Sequence, residues 1–294
     1  MTSGVQLGTS GDVRFVQFPH PGAEHEMPRS GKRAWKRGDE RHRRTFLQSP
    51  GIYRRAVDAR DEKGEIAYWA EWEGGADLVA EVDPVPGGPR WLCRPDPSAP
   101  PPRTEDGTPP QNTDPYVWGD TMRYTFCRQL RNGKLRRLGR GSVILFGSSL
   151  HNQFVLDAVL VAAGWVDHES PDGLVDATDQ AHMRATIEPM YGWEDVKRTY
   201  RLYFGATPSQ RVNGMFSFVP CREANGRKSG FARPGIQVDG LFNPNARMQA
   251  KMLDVAEERC PELWKSVVAQ VVGEGLLLGT QLELTDSAKF AANA

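Results

Sequence analysis

The fold is decided by residues 111–163, which contain the segments QNTDPYVWGD (111–120), RYTFC (123–127), GSVILFG (141–147) and FVLDAVLV (154–161). The last two are runs of β-branched, aromatic and small residues with the length and composition of buried strands. The first is rich in turn-forming residues, and the second is a short strand pattern that follows it. The sequence therefore predicts the centre of a β-sheet here, with a basic hairpin at residues 131–140.

Strand patterns recur on both sides of this stretch, at residues 12–18, 65–73, 198–204, 214–220 and 276–284. Helical patterns occur only in the C-terminal part, at residues 180–188, at residues 246–258 and from Pro261 onward, and Pro189 is expected to end the first of these helices. The predicted fold class is α+β. It is β-rich, with a partly closed barrel in the first half and helices packed on the C-terminal part.

Prolines are concentrated in one segment of the chain. Ten prolines lie between residues 83 and 110, where few backbone donors remain for a sheet, so an extended surface loop is expected. Strand patterns resume on both sides of this loop, which places it inside a domain. The predicted organisation is a β-rich domain at residues 1–166 and an α+β part at residues 167–294, packed together as one unit.

Composition and spacing disfavour several classes of protein. The formal net charge is zero, so bulk charge does not indicate a binder of polyanions. The four cysteines form no CxxC pair, which argues against a disulfide scaffold and a zinc cluster. None of the six histidines is at metal-ligand spacing in the sequence. A metal site would require residues that are distant in sequence to be brought together by the fold, and none is expected. No glycine-rich phosphate cradle is present, and no cofactor is expected. The chain also lacks a signal-peptide pattern and an apolar run of about 20 residues, which predicts a cytoplasmic protein without a membrane partner.

The most unbalanced segment, residues 29–55, has ten lysines or arginines against two acids, with aromatic residues between them. Basic groups interleaved with aromatic rings can pair with phosphates and stack on bases. The residues expected to contact a nucleic-acid backbone are Lys36, Arg37, Arg43 and Arg44. The alternative is a solvated surface with the aromatic rings turned inward.

The turn Tyr116-Val117-Trp118-Gly119 and the three strand patterns after it carry a resemblance. Residues 111–163 resemble the core of the PUA-like superfamily, which includes the EVE, ASCH and YTH domains and the nucleotide-modification-associated domains. In that superfamily a compact β-barrel holds a nucleobase in an aromatic pocket. The resemblance implies that Trp69, Tyr116 and Trp118 stack on a base, and that Asn112 and Asp114 read its edge.

An acidic pair offers a different function. Trp69, Glu71 and Glu73 alternate along one strand pattern and are predicted to share a face. Two carboxylates beside a tryptophan can act as a general acid/base pair, so Glu71 and Glu73 are the catalytic candidates. The alternative is that both acids face solvent.

A second resemblance concerns Arg201, Ser217 and the motif Gln281-Leu282-Glu283, which occur in the order of conserved elements of some ADP-ribosyltransferases. In those enzymes the arginine grips the NAD pyrophosphate and the glutamate orients the ribose.

The leading hypothesis is a nucleic-acid-binding protein that recognises a modified or flipped base beside the basic segment. The first alternative is an enzyme acting on a nucleotide or nucleic acid, nuclease-like or ADP-ribosyltransferase-like. The second is a protein-interaction module, in which the acidic loop at residues 167–179 docks a basic partner or a second copy in a homo-oligomer.

Overall fold

The computed structural model describes residues 6–35, 42–98, 110–193, 198–224, 229–241 and 250–285. Two of the predicted phosphate contacts, Lys36 and Arg37, lie outside these ranges. The strands in the described ranges are β1 (Arg14–His20), β2 (Lys32–Arg33), β3 (Thr45–Arg54), β4 (Glu62–Ala70), β5 (Gly75–Glu81), β6 (Trp91–Asp96), β7 (Arg123–Tyr124), β8 (Val143–Leu150), β9 (Gln153–His168), β10 (Tyr200–Gly205), β11 (Val219–Glu223), β12 (Lys251–Asp254) and β13 (Leu277–Leu282).

Helices are fewer and lie in the C-terminal part, as predicted. A helix begins as α1 (Gln180–His182), passes through a π-turn at Met183–Ile187 and continues as α2 (Glu188–Trp193). The long helix α3 (Arg259–Gly273) contains Pro261 in its first turn, where a missing N–H is tolerated. Short 3₁₀ turns occur at Gly133–Arg137, within the predicted basic hairpin, and at Pro171–Leu174.

The first sheet has six strands in the order β12-β1-β8-β9-β10-β7. Its centre is the β8–β9 hairpin, so the prediction from residues 141–161 is confirmed. The β1–β8 pairing is parallel, and the other pairings are antiparallel. Strand β9 is twice the predicted length, because its C-terminal half pairs with β10.

The second sheet has seven strands in the order β13-β11-β4-β3-β6-β5-β2, and β13 also pairs with β3. That extra pairing closes β3, β4, β11 and β13 into a four-stranded barrel. The protein is therefore a β-rich α+β protein with a partly closed barrel. The barrel strands come from both ends of the chain, whereas residues 111–163 contribute to the other sheet.

Both sheets draw strands from both parts of the chain. The boundary expected at residues 166 and 167 falls inside β9, and the C-terminal strands β10 and β12 complete the first sheet. Two hydrophobic clusters combine side chains of the two sheets, for example Phe15 with Trp69, and Phe18 with Tyr68. Burying each large apolar side chain contributes about 1.5–3 kcal/mol, which holds the sheets against each other.

Three local predictions are wrong. Residues 251–254 form β12 instead of the predicted helix, because this segment pairs with the edge of β1; residues 246–249 lie outside the described ranges. Pro189 does not end the helix, which continues past it to Trp193. It directly follows the π-turn, where the regular i to i−4 hydrogen bonding is already interrupted. The proline-rich loop contains a strand, β6, which pairs with β5 and with β3.

None of the helices in the described ranges is both long and apolar enough to cross a bilayer.

Candidate functional site

The β3–β4 hairpin brings the candidate acids to one place. Thr45 at the start of β3 pairs with Ala70 at the end of β4. Residues just before β3 therefore lie beside residues just after β4, which places His42 and Arg44 next to Glu71 and Glu73. Strand β1 ends beside these residues, and its last residue, His20, contacts Glu71.

Glu71 is only 4 % exposed, and its two carboxylate oxygens have different partners. Its Oε2 contacts His20 Nδ1 and accepts a hydrogen bond from the Arg44 guanidinium at 2.9 Å. Its Oε1 lies 2.6 Å from His42 Nδ1. Burial alone would raise the pKa of Glu71, but His20, His42 and Arg44 outweigh burial and hold the pKa well below its ordinary value.

Glu73 is completely buried and approaches the same nitrogen of His42 as Glu71 does. Its Oε1 is 3.5 Å from His42 Nδ1, and its Oε2 is 3.5 Å from His25 Nε2. Burial opposes the charged carboxylate, yet the two imidazoles lower the pKa of Glu73 to about 2. Burial likewise opposes the imidazolium of His42, but Glu71 and Glu73 raise its pKa to about 10. The cluster thus strongly favours a positive charge between two carboxylates.

Three of the four carboxylate oxygens of Glu71 and Glu73 lack a hydrogen bond from a described residue. Within the described ranges, no donor meets hydrogen-bond geometry at Glu71 Oε1 or at either oxygen of Glu73. The nitrogen of His42 and one oxygen from each of the two glutamates all lie within 4.8 Å of one another. A group of three donor atoms this compact could hold a metal ion.

A pocket of about 360 Å³ opens beside this cluster, and we call it the His42 pocket. His42, whose side chain is 30 % exposed, lies on its wall, so the cluster is accessible from the pocket. The described residues that line it are His20, Pro21, His42, Pro110, Gln111, Asn112, Phe126, Cys127, Arg128, Leu130, Arg131, Met190 and Tyr200.

Arg44 does not have the role predicted for it. It is 1 % exposed, and its guanidinium bridges Glu71 and Asp157, the latter at 2.6 Å. Asp157 also faces Arg233 at 3.4 Å, and Arg233 donates to Ser148 at 2.9 Å. A cation enclosed by two carboxylates cannot reach a phosphate, so the prediction of a backbone contact is wrong for Arg44.

Three further cations of the basic segment are paired with acids, although the side chains of Lys32 and Arg55 stay more than half exposed. Lys32 pairs with Asp96, Arg54 pairs with Asp61, and Arg55 pairs with Glu62. These acids come from neighbouring strands and loops, which the local excess of positive charge does not reveal.

Arg43, at an intermediate exposure, contacts the backbone carbonyl of Glu24 at 3.4 Å. Nothing tests its predicted contact with a phosphate, which stays a prediction.

The three aromatic residues predicted to stack on a base are core residues. Trp69, Tyr116 and Trp118 are all buried. The indole N–H of Trp69 donates to the carbonyl of Phe231, and that of Trp118 donates to the Tyr68 hydroxyl. Rings that are at most 3 % exposed offer no stacking surface, so the structure does not support this predicted role. Tyr116 and Trp118 border a separate hollow of about 580 Å³, whose described lining includes neither Arg43 nor Arg44.

The two residues predicted to read a base edge have different environments. The carboxylate of Asp114 is buried and accepts hydrogen bonds from the backbone N–H groups of Thr125 and Cys127 at 3.0 and 2.7 Å. Burial raises the pKa of Asp114 to about 7, against the effect of these two bonds. Asp114 therefore fixes the chain locally and does not face the pocket. Asn112 does line the His42 pocket.

The residues of the ADP-ribosyltransferase resemblance are not brought together. Arg201 lies on β10 of the first sheet and is paired with Asp167 at 2.9 Å. Gln281 lies on β13 of the second sheet, and the Ser217 hydroxyl accepts the backbone N–H of Val161. The structure does not support an NAD site at these positions.

Sequence reasoning missed His20, His42, Arg128 and Arg131. The histidines are 22 residues apart and belong to no ligand motif, so spacing alone could not connect them. Only the β3–β4 hairpin register, with His42 just before one strand and Glu71 just after the other, would have indicated the cluster.

No protein-family model, curated protein or solved structure matches the chain. Its function is therefore argued from the site alone.

Proposed function

We propose that the protein binds nucleic acid by holding one nucleotide unit in the His42 pocket. The observation that carries this proposal is the position of Asn112, which is 4 % exposed and lines the pocket. Its amide nitrogen has no acceptor within the described ranges. A buried donor without an acceptor is unfavourable, and a ligand that offers an acceptor would satisfy it.

The chemistry of the pocket walls suits a nucleotide. Asparagine amides pair with the acceptor and donor edges of bases, and Phe126 adds an apolar wall. Arg128 and Arg131 supply positive charge, and neither forms an ion pair with a carboxylate in the described part of the chain. The pocket volume of about 360 Å³ falls within the range of about 300–1,000 Å³ that is common for small-ligand sites.

The experiment uses two kinds of probe. Nucleoside 5′-monophosphates are titrated calorimetrically, and labelled single- and double-stranded oligonucleotides are titrated by fluorescence anisotropy at 50 and 200 mM salt. We expect micromolar binding of the preferred strand that weakens with salt, because arginine–phosphate contacts release counterions.

Matched variants assign the binding to this pocket. Arg131→Ala removes an exposed charge from the pocket and should weaken binding about tenfold. Arg137→Ala removes an exposed charge from the nearby 3₁₀ turn, outside the pocket, and should not. Asn112→Leu keeps the size and removes the amide, so it should also flatten the preference among bases. Absence of binding at 100 µM protein, or equal effects of the two arginine variants, would contradict the proposal.

A second candidate is catalysis on the bound nucleotide, because the His42–Glu71–Glu73 cluster adjoins the same pocket. Two carboxylates and an imidazole can exchange protons with a ligand. Nucleotides and oligonucleotides are incubated with the protein, with and without MnCl₂, and the products are separated by chromatography. Turnover that Glu73→Gln lowers more than about 100-fold would support an enzyme; inertness with all substrates would remove this candidate.

A further inference from the structure

Three of the four carboxylate oxygens in the cluster lack the aligned hydrogen bonds, from residues in the described ranges, that buried carboxylates normally have. Charged groups enclosed in a protein are almost always hydrogen-bonded, paired or bound to a metal ion. Glu73 is completely buried, yet neither of its oxygens accepts a well-formed hydrogen bond from a residue in the described ranges. Both oxygens lie 3.5 Å from an imidazole nitrogen, which is longer than a hydrogen bond between charged groups.

The contact between His42 and Glu71 has a related feature. The two atoms are 2.6 Å apart, but their orientation does not satisfy hydrogen-bond geometry at either atom. Ligand atoms that bind the same metal ion direct their lone pairs at the ion and not at each other. Ligands about 2.1 Å from an ion lie about 3.0–3.5 Å apart, so an ion would separate these two atoms by several tenths of an ångström.

The second oxygen of Glu71 is already fixed. Arg44 and His20 hold Oε2, which leaves Oε1 directed toward His42. Outer contacts of this kind orient a ligating carboxylate and are a regular part of metal sites. The open side of the cluster is the His42 pocket, which gives an ion and its water ligands a path from solvent.

We propose that His42, Glu71 and Glu73 bind one divalent transition-metal cation, with Nδ1 of the histidine and one oxygen from each glutamate as ligands. The mixture of one imidazole and two carboxylates suits Mn²⁺ or Zn²⁺ better than Mg²⁺, which favours oxygen ligands and water. The three protein ligands leave coordination positions open, as in sites where a metal acts on a bound ligand. The inference concerns the ion alone and does not depend on nucleotide binding.

The test is a titration of the full chain after treatment with a chelator. MnCl₂, ZnCl₂ and MgCl₂ are titrated separately by calorimetry without any nucleotide. We expect one site per chain for Mn²⁺ or Zn²⁺ with a dissociation constant in the micromolar range, and at least tenfold weaker binding of Mg²⁺. No Mn²⁺ or Zn²⁺ binding below about 1 mM would overturn the proposal, whether or not nucleotides bind.

Variants assign the ligands. Glu73→Gln and His42→Gln should each weaken the metal affinity at least about 100-fold, because each removes a ligand and not an outer contact. The matched controls are Glu81→Gln and His151→Asn, which change exposed residues of the same types outside the cluster and should leave the affinity unchanged. Binding that survives both ligand variants would place the ion elsewhere.

A spectroscopic measurement on the wild-type protein covers the case in which a variant fails to fold. Pulsed electron paramagnetic resonance of the Mn²⁺ complex should detect coupling to one imidazole nitrogen. A bound Mn²⁺ ion without nitrogen coupling would overturn the assignment of His42 as a ligand.

Discussion

Two clusters of buried charge meet at Arg44 and differ in how their charges are satisfied. On one side, Asp157 faces two guanidinium groups, and Arg44 reaches it at 2.6 Å with hydrogen-bond geometry. On the other side, Glu71 and Glu73 both face Nδ1 of His42, and three of their four oxygens have no well-formed hydrogen bond from a described residue. In the first cluster both Asp157 oxygens accept hydrogen bonds, although Nε of Arg233 has no acceptor within the described ranges. The second cluster leaves carboxylate oxygens without hydrogen bonds and opens onto a pocket.

The comparison shows that burial and charge alone do not identify a functional site. Both clusters are buried and both contain acids and bases, so either would be selected by a search for clustered ionisable groups. The distinguishing features are carboxylate oxygens without hydrogen bonds from described residues, and access to a pocket. By both criteria the His42 cluster is the candidate site, and Arg44 belongs to the supporting structure.

The largest expected effect comes from breaking the network of Arg44, Asp157 and Arg233. Arg44→Met should lower the free energy of unfolding by about 3–5 kcal/mol, because it leaves Asp157 and Glu71 buried with fewer partners. The measurement is urea denaturation at pH 7. The control is Arg55→Met, which removes an exposed ion pair and should change stability by less than about 1 kcal/mol. Equal effects of the two variants would show that the Arg44 network is not structural.

Another buried carboxylate, Asp114, sharpens the comparison because it accepts hydrogen bonds but forms no ion pair with a residue in the described ranges. Its folded pKa of about 7 is above its ordinary value, so the folded state holds a proton that the unfolded chain has lost. Its contribution to stability is therefore greatest below about pH 4 and decreases as pH rises to about 7. Between pH 5 and pH 7.5 this one group should lower the free energy of unfolding by roughly 2–3 kcal/mol.

Urea denaturation of the wild type and of Asp114→Asn across that range isolates the effect, because other groups titrate in both proteins. The asparagine variant should be less stable at pH 5, since its amide NH₂ faces one of the two backbone N–H donors. It should also lose less stability than the wild type as the pH rises. Parallel pH profiles for the two proteins would show that Glu71 and the surrounding burial do not raise the pKa of Asp114.

The fold was largely predictable because its strands carry strong local patterns. The runs at residues 141–147 and 154–161 form the central hairpin β8–β9, and the apolar stripe after Pro261 forms α3. What could not be predicted is non-local. The barrel closes through the β3–β13 pairing between residues more than 220 apart, and β12 is a strand only because the edge of β1 is available to it.

The candidate site was predictable only in part, for the same reason. The proximity of Glu71 and Glu73 follows from alternation along one segment, whereas the histidine that both contact comes from the segment just before β3. The tryptophans that were expected to stack on a base show that a local pattern can also predict a site residue where there is none. An aromatic residue in a turn has the same local pattern whether it faces a ligand or the core, and Trp118 packs edge-on against Trp72, with ring centroids 4.8 Å apart.

The smallest expected effect tests the incomplete cluster. Glu73→Gln should lower the free energy of unfolding of the metal-free protein by about 2 kcal/mol at pH 7, less than Arg44→Met does. It removes a charge that the neighbouring imidazoles favour, as the Glu73 pKa of about 2 shows, but the amide is isosteric, no aligned hydrogen bond is lost, and Glu71 keeps His42 paired. Urea denaturation with and without 1 mM MnCl₂ adds a second comparison, because an ion that binds only the folded state should stabilise the wild type and not the variant. A loss as large as that of Arg44→Met, in metal-free protein, would show that the two clusters are alike and that Glu73 is part of the structural network.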